Sequence, residues 1–519
     1  MMGMTQTIAL IALGIFFLVM VGIGIWSVKH TKTMNGFLLG SRNVGAWMSA
    51  FAYTTSYFSA VIFIGYAGKT GWQVGLGGIW IGIGNAILGC MLAWLLLAKR
   101  TRNMTHKLNS STMPEFFAAR YQSGNMKVYS ALIIFIFLVP YAATVYKGLG
   151  YLFGKMFPFL NGLIPGVGPE IYCMFIIAVL TAIYLVLGGY VATIMTDFIQ
   201  GIIMLVGVVV MVVVIVNNPA VGGFPNGMAQ LREISAPLAD TDLTNLFGGP
   251  QWRFLLMNIL LTSFGTWGLP QMIHKYYAVK DDASIRRATI LSTIFALLIG
   301  ASAYIVGMFG RLYLNNQLPG GNYDAVIPEM LYKALSGGVF TNIVLSVILL
   351  LVLSASMSTL SSIVLTSSSS IAIDLLPTLK KDVNKKRQLI FMRVLCFLFI
   401  AASFLFASFK IAFIMQLMSF SWGVVAGSFI GPYVWGLYSK KITRAGSWCG
   451  MLSGLLVVGG CTLFTTLSNP AGIAAGFAQA SSLSQDFGVW AMVVSFVVTP
   501  LVSLFTRKYS EDFTKTVFE

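Results

Sequence analysis

The chain has 519 residues, of which 57% are hydrophobic and only 9% charged, where a soluble protein carries roughly a quarter charged residues. That composition excludes a soluble enzyme or binding module and predicts an all-α polytopic membrane protein with no soluble domain. The net charge of +17 does not imply nucleic acid, because most Lys and Arg fall in alternate loops between apolar stretches.

Apolar runs of about 20 residues can each cross about 30 Å of hydrocarbon as a helix. They predict thirteen spans, at about 6–27, 45–69, 73–98, 128–155, 168–187, 190–216, 252–274, 288–314, 338–376, 389–409, 411–438, 445–467 and 486–506. The first is too long and apolar for a signal peptide and lacks a basic leader, so it is expected to stay as an extra helix. The second, WMSAFAYTTSYFSAVIFIGYAG, carries a polar patch, Thr54 to Tyr57, at its middle. In the fourth, Lys147 either reaches outward or faces a pathway. The sixth holds Asp197, the one acidic residue placed clearly within a span. An ionised carboxylate there requires a counter-charge or strong donors, and no Lys or Arg lies within a helical turn of it.

After a Gly- and Pro-rich loop at about 217–251, with one short helix, the seventh span is broken by Gly265, Gly268 and Pro270 in LLTSFGTWGLPQMI. Proline removes a backbone donor and clashes with the preceding turn. Unwound backbone at mid-membrane is tolerated where it is buried in protein or lines a cavity. The segment at about 315–337 reads as a turn and a short helix. The ninth span contains nine serines and two threonines between Ser354 and Ser370. Of these, Ser358, Thr359, Ser362 and Thr366 share one helical face with Ala355. Some of those hydroxyls can bond back to their own helix, but eleven exceed that need. Neutral oxygens suit a hard cation such as Na⁺. Ser367 to Ser370 are expected to line a wet exit. The tenth span starts near Arg393, and the five Cys are scattered packing residues without metal-ligand spacing.

The basic loops hold Lys29, Lys32 and Arg42; Lys99, Arg100, Arg102, Lys107, Arg120 and Lys127; Lys275, Lys280, Arg286 and Arg287. Further on they hold Lys380, Lys381, Lys385, Lys386 and Arg387; Lys440, Lys441 and Arg444; and Arg507, Lys508 and Lys515. These are 24 of the 33 basic residues. The positive-inside rule makes that side cytoplasmic, with the N-terminus outside, the C-terminus inside and the plasma (inner) membrane as location. The two interrupted spans lie five apart, so residues 45–216 and 252–438 form two five-helix units entering from opposite sides. Such an inverted repeat has a central binding site. Residues 445–506 add two helices.

The blocks LLGSRNVGAW, GGYVATIMTDFIQG, WGLPQMIHKYYAVKD, SASMSTLSS and SWGVVAGSFIGPYVWGLYSKKITRAGS, in this order over nearly the whole chain, resemble the sodium/solute symporter family. That family includes bacterial proline and pantothenate carriers and sodium/glucose transporters. The resemblance implies a leucine-transporter-like 5+5 inverted repeat. It also implies a main sodium site at the carbonyls of Thr55, Phe58 and Ala355 and the hydroxyls of Ser358 and Thr359. A second sodium site in some members maps to Asp197, Ser358, Ser361 and Ser362. Solute positions map to Ser59, Tyr141, Ser263, Thr266, Trp267 and Trp422. At Tyr57 the proline carriers have an aspartate and at Thr262 a tryptophan, and the polar cluster that grips sugars is missing.

The expected function is therefore Na⁺-coupled import of a small organic solute by alternating access, the solute being an amino acid, a monocarboxylate or a pantothenate-like compound. Na⁺ is the coupling ion, with no other cofactor, no transition metal, no nucleic acid and no obligate protein partner. Alternatives are a proton-coupled carrier of the same fold using Asp197, or a sodium/sugar-type carrier. An intramembrane enzyme would need a second acid, a His or a metal cluster in the spans; a channel would more often show a repeated pore motif.

Overall fold

Backbone polar groups in hydrocarbon must be satisfied within the segment, so long apolar runs fold as helices. The computed structural model describes residues 4–30, 34–162, 164–238, 241–335, 338–379, 384–409 and 412–518, and these are almost wholly helical. Lys32, Lys380 and Lys381 lie outside the described residues.

The membrane helices, in chain order, are α1 (Met4–Ser27), α2a (Ala46–Tyr57), α2b (Val61–Gln73) and α3 (Gly75–Lys107), and α4 (Gly124–Met156). A single helix, Pro169–Asn217, follows where two spans are expected. At 1.5 Å per residue it would run about 74 Å, far beyond the membrane core. Gly189 resolves this with φ 50° and ψ −145°, a left-handed backbone that favours glycine. A Cβ there would stand 2.5 Å from the Phe37 ring. The two legs, 169–188 and 190–217, are α5 and α6.

Then come α7a (Trp252–Gly265), α7b (Pro270–Ala278), α8 (Asp282–Met308), α9 (Val339–Ser369), α10 (Lys385–Ser408), α11 (Ile414–Tyr438), α12 (Arg444–Leu467) and α13 (Ser484–Leu504). By length and hydropathy, ten helices among the described residues suffice to cross a membrane, eleven with the halves of α2 joined. The bend at Gly189 divides one of them, and α7 adds another from two halves each too short alone. The short helices Phe224–Ser235 and Val326–Leu335 occupy the two loops where they are expected.

The two broken helices lie at the heart of the bundle. The halves of α2 meet at 46° across Phe58 and Ser59, and α2b begins as a π-helical turn over Val61–Tyr66. The gap in α7 lets Gly268 approach α11, where a Cβ would lie 2.8 Å from the Ala426 carbonyl. An isolated parallel bridge joins Val44 to Val279, with Val44 N donating to Ala278 O (3.1 Å) and Lys280 N to Val44 O (3.0 Å). It clips the start of α2a to the end of α7b at the basic end of the bundle.

The serine helix α9 packs against α6, α4 and α1, so its hydroxyls face protein rather than lipid. Ser367 to Ser370 are buried in this closed bundle, Ser370 Oγ donating to Ala131 O (3.2 Å) and Ser369 Oγ to Thr366 O (2.8 Å); Ser369 and Ser370 line a small cavity beside Thr112 and His274. One expectation is corrected here. Lys275, counted among the basic loops, is buried within α7b, because that half-helix runs on to Ala278 before the chain turns.

Candidate ion and solute sites

The break in α2 leaves carbonyl groups without helical donors, since residues beyond Phe58 no longer supply the N–H. The hydroxyls of α9 meet them. Ser358 Oγ lies 2.8 Å from Thr55 O and 3.1 Å from Ala355 O. Thr359 Oγ1 lies 3.1 Å from Thr55 O, 3.2 Å from Ser56 O and 3.0 Å from Ala355 O. Four of the five expected oxygens therefore converge, all buried. The fifth, on Phe58, belongs to the extended residue that opens the break (φ −101°, ψ 113°). Each hydroxyl points its proton at a carbonyl; turning it away would leave lone pairs facing inward, a neutral all-oxygen cradle suited to a hard monovalent cation.

The second expected site is arranged differently. Asp197 is 0% exposed, and Lys275, 2% exposed, faces it with Nζ 3.7 Å from Oδ2. The counter-charge sought for Asp197 thus comes from another helix. Lys275 Nζ also donates to Ser362 Oγ (2.9 Å), and Ser362 Oγ lies 2.7 Å from Ser56 Oγ. Because the Ser56 hydroxyl donates to Ala52 O (2.6 Å), Ser362 is the donor between the two. A relay thus runs from α7b through α9 to α2a. Ser361 Oγ is turned back to Ser358 O (3.0 Å).

Beside the α2 break lies a cavity of about 20 Å³ lined by Tyr57, Ser59, Asn85, Tyr141, Thr262 and Trp422, among others. That is room for little more than a water molecule, so the protein is closed around the site. No charged side chain lines it. Trp422 forms part of its aromatic wall, edge-on to Tyr141 with centroids 5.6 Å apart and stacked on Tyr57 at 6.3 Å. Of the expected solute positions, Ser59, Tyr141 and Trp422 line the cavity. Ser263, Thr266 and Trp267 do not; they turn toward α3, bonding Asn85 Oδ1 (3.2 Å), Gly89 O (3.1 Å) and Leu88 O (2.9 Å). Tyr57 and Thr262, the two departures from the proline-carrier pattern, touch: Tyr57 Oη donates to Thr262 O (2.7 Å).

Three polar residues escaped the sequence reading. Asn85 lines the cavity and accepts from the Thr262 hydroxyl (2.8 Å); its signal was a lone amide inside an apolar span. Asp374, buried past the serine run, accepts from Thr112 Oγ1 (2.8 Å) and pairs with Lys127 (3.4 Å). Asp324, buried at the opposite end, accepts from Ile414 N (3.0 Å). Asp324 sits where hydropathy places a loop and Asp374 at the very end of the ninth predicted span, so burial of neither could be read from the sequence. Lys147 is buried too, donating to Ala412 O (3.2 Å).

A family model described as the sodium:solute symporter family matches residues 37–454. Relatives include sodium/proline symporters of Staphylococcus aureus strains JH9 and NCTC 8325 / PS 47. Each is 27% identical over 519 residues, covering 98% of this chain and 93% of the relative. Among solved structures, a Na⁺-coupled sialic acid symporter in a substrate-bound outward-open state superposes with a TM-score of 0.73 at 17% identity. The match covers 97% of this chain and 99% of that one, and bears on the fold: the leucine-transporter-like inverted repeat.

Proposed function

Because this chain belongs to the sodium:solute symporter family, we propose that it imports a small organic solute, driven by Na⁺, by alternating access. The observation that carries this reading is the convergence of the Ser358 and Thr359 hydroxyls on the Thr55 and Ala355 carbonyls at the α2 break. Na⁺ bound by these oxygens, with the Phe58 carbonyl, would bridge α2 and α9 and order the break. The solute cavity shares that break through Ser59, so ion and solute each favour the conformation the other needs, the thermodynamic content of coupling. Rocking of the helices then separates the carbonyl half of the shell from the hydroxyl half and releases the ion. Each charge moved inward gains about 2.3 kcal/mol per 100 mV.

The solute contacts we assign are Ser59, Tyr141 and Trp422, joined by Asn85, with Ser263, Thr266 and Trp267 supporting the wall from behind. A wall with no fixed charge suits a small amino acid, monocarboxylate or pantothenate-like solute better than a polyol. The Tyr57–Thr262 contact argues against proline, the solute named for the Staphylococcus relatives. We place the protein in the plasma (inner) membrane, basic end and C-terminus cytoplasmic, N-terminus outside.

The test is uptake by proteoliposomes across a panel of these solutes, preselected by thermal shift with and without Na⁺. Uptake that is unchanged when choline or K⁺ replaces Na⁺ refutes the proposal.

A further inference from the structure

The ion pair between Asp197 and Lys275 lies next to the sodium shell, and its geometry bears on how many ions the carrier takes. Asp197 and Ser362 are two of the groups a second Na⁺ would require. The Lys275 ammonium already faces both, 3.7 Å from the carboxylate and 2.9 Å from the hydroxyl. It also stands 5.3 Å over the Tyr190 ring, so aromatic and carboxylate both favour a cation at this spot. Ser362 already accepts from that ammonium while passing its own proton to Ser56. Asp197 and Lys275 together are neutral. A Na⁺ added between them would be an uncompensated buried charge at contact distance from an ammonium, an arrangement disfavoured by desolvation and repulsion alike.

We propose that Lys275 is a tethered cation whose ammonium takes the place of a second Na⁺, so that the chain binds a single Na⁺, at the Ser358/Thr359 shell. This rests on the Na⁺-coupled reading above. The tether has a structural consequence. Lys275 belongs to the half-helix α7b, Asp197 to α6 and Ser362 to α9, so the ammonium ties α7b to α6 by the ion pair and to the ion-binding helix by the hydrogen bond. A free ion would dissociate in each transport cycle; the ammonium can only move with α7b.

The experiment counts radiolabelled Na⁺ bound at saturation to the purified full-length protein, without solute. The wild type is expected to bind one Na⁺ per chain. The double variant Asp197→Asn/Lys275→Met removes both charges together and leaves none unpaired; it too is expected to bind one. Lys275→Met alone frees the carboxylate and should raise the count to two. Two Na⁺ on the wild type, falling to one in the double variant, would overturn the proposal, as would a count of one for a folded Lys275→Met. If that single variant does not fold, the wild type and the double variant still decide. No bound Na⁺ on the folded wild type would refute the Na⁺-coupled reading itself, a result distinct from a count of two.

Discussion

The Thr359 hydroxyl lies within 3.2 Å of three carbonyls, two of which, on Thr55 and Ala355, belong to the proposed ion shell. Its removal should therefore be felt in ion affinity first. Thr359→Ala is expected to raise the Na⁺ concentration for half-maximal uptake about tenfold, the order expected for a lost polar contact to a charged group. Thr359→Ser, which keeps the oxygen, should stay near wild type. An unaltered Na⁺ dependence in the alanine variant would remove Thr359 from the site. Asn85 offers the complementary test, since it lines the cavity and accepts from Thr262 and Ser263 without touching the shell oxygens. Asn85→Ala should weaken apparent solute affinity about tenfold and leave Na⁺ affinity in binding assays without solute unchanged. Loss of both would show that it supports the α2 break rather than the solute.

At the scale of elements, α2b and α8 are joined by close backbone approaches. A Cβ on Gly71 of α2b would lie 2.1 Å from the Gly307 carbonyl of α8, and one on Gly307 would lie 2.3 Å from Ala67 O. The second half of the broken helix thus rests directly on its neighbour's backbone. Gly71→Val must push the two helices apart, and overpacking of this kind costs about 1–3 kcal/mol, read as a lowered Tm of the purified protein. Gly14 in α1 has nothing within 4 Å of its Cβ position, so Gly14→Val is the matched control and should melt with the wild type. Equal melting of both variants would mean that the α2b–α8 contact is not tightly packed in solution. The other end is tied differently, by the Val44–Val279 bridge and by Arg102, which donates to Val279 O (3.0 Å) and Lys280 O (2.6 Å).

For the molecule as a whole, the cavity at the α2 break is too small for an organic solute, so the proposed alternating access would require the bundle to open at each end in turn. The proposed orientation is directly testable. In a variant in which Cys449, which is exposed, and Cys461, which is partly so, are replaced, single cysteines are placed at Phe247 and at Lys440, both exposed and on opposite sides of the predicted topology. A membrane-impermeant maleimide applied to intact cells should label Phe247→Cys and spare Lys440→Cys until the membrane is permeabilised. The reverse pattern would invert the assignment of the basic end.

The membrane class, the crossing segments and the two interrupted helices were legible in the sequence, because hydropathy and proline or glycine breaks are local properties of the chain. Part of the shell proposed here was legible as well: Ala355, Ser358 and Thr359 share a face by helical spacing alone, and the Thr55 carbonyl to which the family resemblance pointed meets both hydroxyls. The bend that divides α5 from α6 was partly legible, at the Gly188–Gly189 pair, although the chain stays helical through it. What only the tertiary structure decided are relations between helices far apart in sequence. It turned Ser263, Thr266 and Trp267 toward α3, brought Asn85 to the cavity and buried Ser367 to Ser370 inside the bundle. It also set Lys275, which the pattern of basic loops assigns to the surface, against Asp197. Periodicity says which residues share a face; which face meets which, and which charge finds its partner, is settled when the helices pack.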